Sequence, residues 1–146
     1  MSVAATIAPA VPSPAQAPIR VMIVDDAVVV RGLVSRWIEE EPGLKLVASL
    51  RTGREAVAQV ERSNPDVVVL DVEMPELDGA SLCKYIKANP ATQHLRVIFH
   101  SVLDDAQLAR LVAECGADGY VRKMTDLGAF ADTIAALMAS GSGRAP

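Results

Sequence analysis

Aromatic side chains are scarce in this chain: one Trp, two Tyr and two Phe, 3% of 146 residues. Val, Leu, Ile and Ala must therefore fill any core, and a hydrophobic content of 51% is enough for one. Cysteine is equally sparse. Cys83 and Cys115 stand far apart and match no metal-ligand spacing, which argues for two reduced, buried thiols. Positive charge is not in surplus either. Lys and Arg number 14 against 18 Asp and Glu, and the net charge of −4 argues against nucleic acid as a partner. No apolar run is long enough to cross a membrane, so the expected location is the cytoplasm. The length is that of one domain.

Residues 1–18, MSVAATIAPAVPSPAQAP, carry no charged side chain and lack both the basic start and the unbroken apolar core of a secretory signal. They read as a disordered Ala/Pro-rich tail, and residues 140–146 as a flexible C-terminal one. Between them, 19–139 is expected to form the folded domain.

That domain alternates strand and helix patterns. Strands are expected at 19–24, 44–50, 66–71, 95–100 and 118–122. A first helix places Val30, Leu33, Val34, Trp37 and Ile38 on one stripe and stops at Pro42-Gly43. A second begins at Thr52 or Gly53, with Ala56, Val57 and Val60 inward, and ends at Asn64-Pro65. A third runs from Gly79 to about Ala88, with Leu82, Cys83 and Ile86 inside. A fourth turns Leu108, Leu111, Val112 and Cys115 inward and closes at Gly116. The last spans about Asp126 to Met138 with Leu127, Phe130, Ile134 and Leu137 as its stripe, and Thr125 stands at its N-cap. The first, third and fourth strands are apolar runs rather than alternating patterns, as in a parallel sheet covered on both faces. The fold class is α/β.

In such sheets the site lies beyond the carboxyl ends of the strands. Strand one ends at Asp25-Asp26, strand three at Asp71, strand four at Ser101 after His100, and strand five at Lys123. An acidic pair after a strand is often a helix cap, and a lone Lys or Ser there is often ordinary surface. Their joint arrival at one end of a sheet points to chemistry. Three carboxylates cannot all stay ionised together without a counter-charge. A hard divalent cation fits, and Mg²⁺ prefers a few carboxylates with waters and a phosphate oxygen. Ser101 and Lys123 suit the other oxygens of a phosphoryl group, which Asp71 can accept as a nucleophile.

VDD at 24–26, LDVEMPELDG at 70–79, Ser101 and GADGYVRK at 116–123 fall in an order that resembles the receiver domain of two-component response regulators, the CheY-like family. The resemblance covers about residues 19–138, and the N-terminal half looks most like the receiver of chemotaxis methylesterases. It implies a doubly wound (βα)5 fold with strand order 2-1-3-4-5. It implies Asp71 as phosphoacceptor, fed by a sensor histidine kinase or a histidine phosphotransfer protein. Mg²⁺ would be held by Asp25, Asp26, Asp71 and the backbone carbonyl of Glu73. Lys123 and Ser101 would hold the phosphoryl group, and the ring of Tyr120 would swing inward as Ser101 moves. The surface that changes would be the fourth helix, fifth strand and fifth helix, about 105–138, meeting a downstream protein partner. A homodimer through the last helix is left open. No esterase domain follows, so the expectation is a single-domain regulator that is not itself an enzyme beyond its own phosphorylation and dephosphorylation.

This sequence departs from the family pattern in three places. Met124 follows Lys123 where the family usually has Pro after a cis bond; a cis bond before Met is costly, so a trans loop with Lys123 aimed differently is expected. Val102 follows Ser101 where the family often has a smaller residue, and it is expected to narrow the path to Asp71 and slow phosphate loss. Glu73 adds an acid two residues past the acceptor, either meeting Lys123 or the metal, or simply solvated. His100 is expected to point away from the site in a structural role, since strand neighbours alternate, and His94 to lie on the surface. Two rival readings stand beside the switch. One is a phosphorylation-independent docking module of receiver shape. The other is an aspartate-nucleophile phosphohydrolase, disfavoured because Glu73 stands where those enzymes carry a second Asp.

Overall fold

The run Val67-Val68-Val69-Leu70 is solvated on neither side, because strands and helices cover it from every direction. A computed structural model describes residues 17–123 and 127–141. Five strands and five helices alternate: β1 (Ile19–Val24), α1 (Val28–Glu40), β2 (Leu44–Leu50), α2 (Gly53–Ser63), β3 (Val67–Asp71), α3 (Gly79–Ala88), β4 (Arg96–Ser101), α4 (Asp105–Cys115), β5 (Gly119–Arg122) and α5 (Leu127–Gly141). The strands form one parallel sheet in the order β2-β1-β3-β4-β5. This is the doubly wound CheY-like architecture, with the order reversing between β1 and β3.

Each sheet face has its own core. On one, Met22, Val68, Leu70, Val97 and Phe99 pack beneath α2, α3 and α4 through Ala56, Val60, Leu82, Ile86 and Leu108. On the other, Val21, Ile23, Val69 and Ile98 pack beneath α1 and α5 through Val34, Ile38, Phe130 and Ile134. Strict alternation along each strand assigns successive side chains to the two cores. The aromatics are split between the two, Phe99 and Tyr120 in the first and Phe130 and Trp37 in the second, where Trp37 and His100 both lie against Phe130 with ring centroids 5.7 and 6.1 Å away.

Local sequence explains the element ends. Thr52 and Glu55 form a reciprocal capping box on α2, and Asp104 and Gln107 form another on α4. Gly116 closes α4 at φ +78°, a conformation that favours glycine. Asp66 and Asp118, expected as first strand residues, instead lie outside β3 and β5. Their carboxylates accept the backbone N–H of Arg20 (2.9 Å) and of Val97 (2.8 Å) in the neighbouring strands. Leu33, expected on the buried stripe of α1, is exposed along with Val28 and Val29, because the stripe packed on the core is Val30, Val34, Trp37 and Ile38. Ser101 is the last residue of β4 rather than the first after it, and α5 continues through Gly141. The expected cap Thr125 lies outside the described residues, as does the side chain of Leu127. Cys83 and Cys115 are free and buried, as expected; Cys83 Sγ–H donates to the Cys115 carbonyl at 3.5 Å, and burial pushes its thiol up to about 12.

Candidate functional site

β1 and β3 end side by side at the reversal of strand order; β3 ends in Asp71, and Asp25 follows directly on β1. Asp25 and Asp71 are 2% and 4% exposed, while Asp26 faces solvent. One carboxylate oxygen from each of the three lies within 4.8 Å of the others. Lys123, just past β5, aims its ammonium between the two buried acids, with Nζ 3.2 Å from Asp25 Oδ2 and 3.4 Å from Asp71 Oδ1. Lys123 thus reaches the site although Met124 follows it. Its backbone N–H is held by the Ser101 carbonyl at 2.8 Å, and the four-carbon stem spans the rest. The peptide between Lys123 and Met124 lies outside the described residues.

The loop after β3 is folded tightly against the acceptor strand. Gly79 N–H donates to the Val72 carbonyl at 3.0 Å, and a Cβ at Gly79 would overlap the Asp71 carbonyl oxygen. Only glycine permits that approach. Asp78 caps α3 by accepting from Ser81 N–H at 2.8 Å. Glu73 touches the site through its backbone, its N–H donating to Asp71 Oδ1 at 3.2 Å. Its side chain is exposed and forms no ion pair with Lys123 among the described residues. In this structure the Glu73 side chain is solvated and does not reach Lys123.

Electrostatics single out Asp71. Burial, then the charge of Asp25, pushes its carboxyl up to about 7, against the pull of Lys123 and of the Glu73 N–H. Among the described residues, Asp25 Oδ2 is buried and accepts no hydrogen bond, and the Lys123 ammonium faces it. A buried, unsatisfied carboxylate oxygen beside two more acids is a donor set that fits a hard dication.

Ser101 is buried at the end of β4, with its Oγ accepting Leu103 N–H at 3.1 Å. Val102, next to it, is 58% exposed at the same end of the sheet. Tyr120 has its hydroxyl outward, donating to Asp105 Oδ1 at 3.1 Å, and Arg122 approaches the other oxygen of Asp105 at 3.9 Å. Burial and then Asp105 raise the Tyr120 hydroxyl above its ordinary value. His94 is exposed. His100 points opposite to Ser101, as expected, but this puts it on the same sheet face as Asp71, its register partner in β3. There it lies edge-on to Phe130, and burial followed by the charge of Lys123 lowers it to about 4. It is a neutral core histidine. Two contributors went unnoticed in the sequence: Asp105, and Arg31, whose Nη1 donates to the Asp25 carbonyl at 2.8 Å. A signal for Arg31 existed, since long helical side chains lean toward the helix N-terminus, and Arg31 sits one turn past Ala27.

Fold and site together define a parallel α/β protein with an acidic, lysine-paired pocket at its switch point. The chain belongs to the response regulator receiver domain family, whose model matches residues 21–135. It is 54% identical over 108 residues to a protein-glutamate methylesterase/protein-glutamine glutaminase of Nitrobacter winogradskyi, covering 73% of this chain and 25% of that protein. It is 50% identical over 125 residues to the corresponding group 2 operon protein of Rhodopseudomonas palustris, covering 84% and 32%. The chain therefore spans about a quarter to a third of these relatives' length. Among solved structures, the response regulator domain of Thermotoga maritima CheB superposes with a TM-score of 0.72 at 26% identity, covering 88% of this chain and 99% of that one. The receiver domain of a Syntrophus aciditrophicus signal transduction histidine kinase gives 0.74 at 31%, covering 87% and 94%. Two-component signalling is the family's setting, and phosphorylation and Mg²⁺ are its general features. Among the described residues, no helix is long and apolar enough to cross a membrane.

Proposed function

We propose that this chain is a phosphorylation switch in which Asp71 accepts a phosphoryl group from a phosphohistidine on a sensor kinase or phosphotransfer protein. The observation that carries the proposal is the buried Asp71 carboxylate, 3.4 Å from Lys123 and within 4.8 Å of oxygens of Asp25 and Asp26. An Asp71 oxygen attacks phosphorus, the P–O bond forms, and the P–N bond to the donor imidazole breaks. Asp25, Asp26, Asp71 and the Glu73 carbonyl would hold Mg²⁺, which supplies charge neutralisation to the transferring group. Lys123 stabilises the phosphoryl oxygens and pulls the attacking carboxylate toward its ionised form. Ser101 then donates to a phosphoryl oxygen, giving up the contact its Oγ makes with Leu103 N–H. Tyr120 follows inward, leaving Asp105, and the face formed by α4, β5 and α5 changes what it binds.

Acetyl phosphate with Mg²⁺ tests this. A stable mass gain in the wild type that is absent in Asp71→Asn is expected. Turnover without accumulation would instead mark a phosphohydrolase, and no reaction, even with a histidine kinase, would mark a docking module that ignores phosphorylation. That phosphorylation changes what the chain binds is the finer part of the proposal. A pull-down comparing phosphorylated wild type with Asp71→Ala checks it: a protein captured by the phosphorylated form alone is expected, and identical captures would overturn it.

A further inference from the structure

Asp25 has four polar groups, and the protein fixes three of them. Its N–H donates to the Leu50 carbonyl at 3.0 Å, its Oδ1 accepts Ala27 N–H at 2.9 Å, and its carbonyl accepts Arg31 Nη1 at 2.8 Å. Among the described residues, Oδ2 alone of the four is left without a hydrogen bond, buried and 3.2 Å from the Lys123 ammonium. The first two bonds come from backbone. Arg31 is the side chain that grips the peptide joining Asp25 to Asp26, and that peptide sets where both acids point. The grip matters because α1 begins directly after this loop without the usual devices. Its N-cap, Ala27, has no side chain to cap with, and its first turn carries no acid. Arg31 is itself tied to the loop, its N–H donating to the Ala27 carbonyl at 2.9 Å.

We infer that Arg31 is a positioning residue that preorganises Asp25 and Asp26 for a divalent cation; the inference rests on the cation-binding reading proposed above. Two physical effects of Arg31 have opposite signs. As a nearby positive charge it repels a dication, so removing it would tighten binding. As an anchor of the ligand loop it favours binding, and loss of such outer contacts costs about tenfold or more in metal affinity. The anchoring effect dominates, because the guanidinium touches the ligand peptide directly while its charge lies in a part-solvated setting.

Isothermal titration of Mg²⁺ into the full chain decides this. Arg31→Met keeps the stem and removes the donor, and is expected to weaken Kd about tenfold. Arg31→Lys keeps the charge on a shorter, less directional donor, and is expected to fall between Met and wild type. Arg36→Met, on the exposed face of the same helix, is expected to bind as the wild type does. Equal or tighter binding by Arg31→Met overturns the inference. If Arg31→Met does not fold by circular dichroism, Arg31→Lys decides, since wild-type affinity in that variant overturns it too. If the wild type takes up no Mg²⁺, the cation reading itself fails. The backbone amide signals of Asp26 and Ala27 in the metal-free protein then judge Arg31. Broadening in Arg31→Lys supports positioning, and unchanged signals overturn it.

Discussion

Lys123 brings one positive charge to a pocket of three acids, 3.2 Å from Asp25 and 3.4 Å from Asp71. Burial first, then the charge of Asp25, holds the Asp71 carboxyl up at about 7 against the pull of Lys123, so a proton and a dication compete for it near neutrality. Mg²⁺ affinity is therefore expected to fall as pH drops from 8 to 6, approaching about tenfold per unit below 7. In Asp71→Asn the affinity should be lower and this part of the pH dependence gone; titrations at three pH values check it, and a flat wild-type profile would refute it. Val102 lies exposed beside Ser101 at the carboxyl end of β4, and we propose that its β-branched side chain narrows the path to Asp71. Val102→Ala should hasten loss of the phosphoryl group by about 3- to 10-fold, up to about 1.4 kcal/mol of barrier. A rate that barely changes in a phosphate-release assay rejects this role for Val102. The acids, Ser101 and Lys123 were legible in the sequence because each stands at a strand end. Arg31 was legible only in part: its lean toward the start of α1 could be read, but not that it meets the Asp25 carbonyl. The contact of Glu73 was not legible, because every residue carries an amide and only the fold shows which one meets Asp71.

Strand β5 and helix α4 are joined at their surface by Asp105, which takes the Tyr120 hydroxyl at 3.1 Å and faces Arg122 at 3.9 Å. Arg122 also donates to the Leu103 carbonyl at 3.1 Å, so the loop leaving Ser101 belongs to the same patch. An inward swing of Tyr120 must break its bond to Asp105. Removing Asp105 should ease that swing and release the hydroxyl from its raised pKa. In a Tyr85→Phe background, which leaves Tyr120 as the remaining tyrosine, Asp105→Ala is expected to lower the tyrosinate midpoint read by ultraviolet absorbance. An unmoved midpoint would show that the contact does not persist in solution. The elements themselves were readable from apolar runs and helical stripes, down to the Thr52 start and the Gly116 stop. Their ends were less so. Asp66 and Asp118 look like strand residues until the neighbouring strand's N–H is seen to need them, and Leu33 looks buried until the core proves to pack on Val30, Val34, Trp37 and Ile38 instead. Strand order followed from resemblance alone, since patterning along a chain does not reveal which strands adjoin.

Stability of the whole molecule against pH couples the site to the core through two buried groups with opposite shifts. His100, lowered to about 4 from an ordinary 6.5, stays neutral in the folded protein while the unfolded chain takes up a proton. Its contribution is present above 6.5 and is lost as pH falls toward 4, with a slope of about +1.4 kcal/mol per unit between. Asp71, raised to about 7 from 3.8, does the reverse in the metal-free protein. The folded state holds a proton that the unfolded chain has released, so stability declines as pH rises through that window, at about −1.4 kcal/mol per unit. Between pH 4.5 and 6.5 the two nearly cancel. Urea unfolding of metal-free Asp71→Asn should then gain stability with pH, relative to the wild type, by about 1.4 kcal/mol per unit. His100→Phe should lose it by a similar amount relative to the wild type, after allowance for any constant packing change against Phe130. Parallel curves for wild type and Asp71→Asn would mean that Asp71 ionises normally when folded, and the competition between proton and cation at the site would fall with it. Saturating Mg²⁺ should make the wild type follow Asp71→Asn, because a cation-bound Asp71 no longer holds its proton and only the slope from His100 remains.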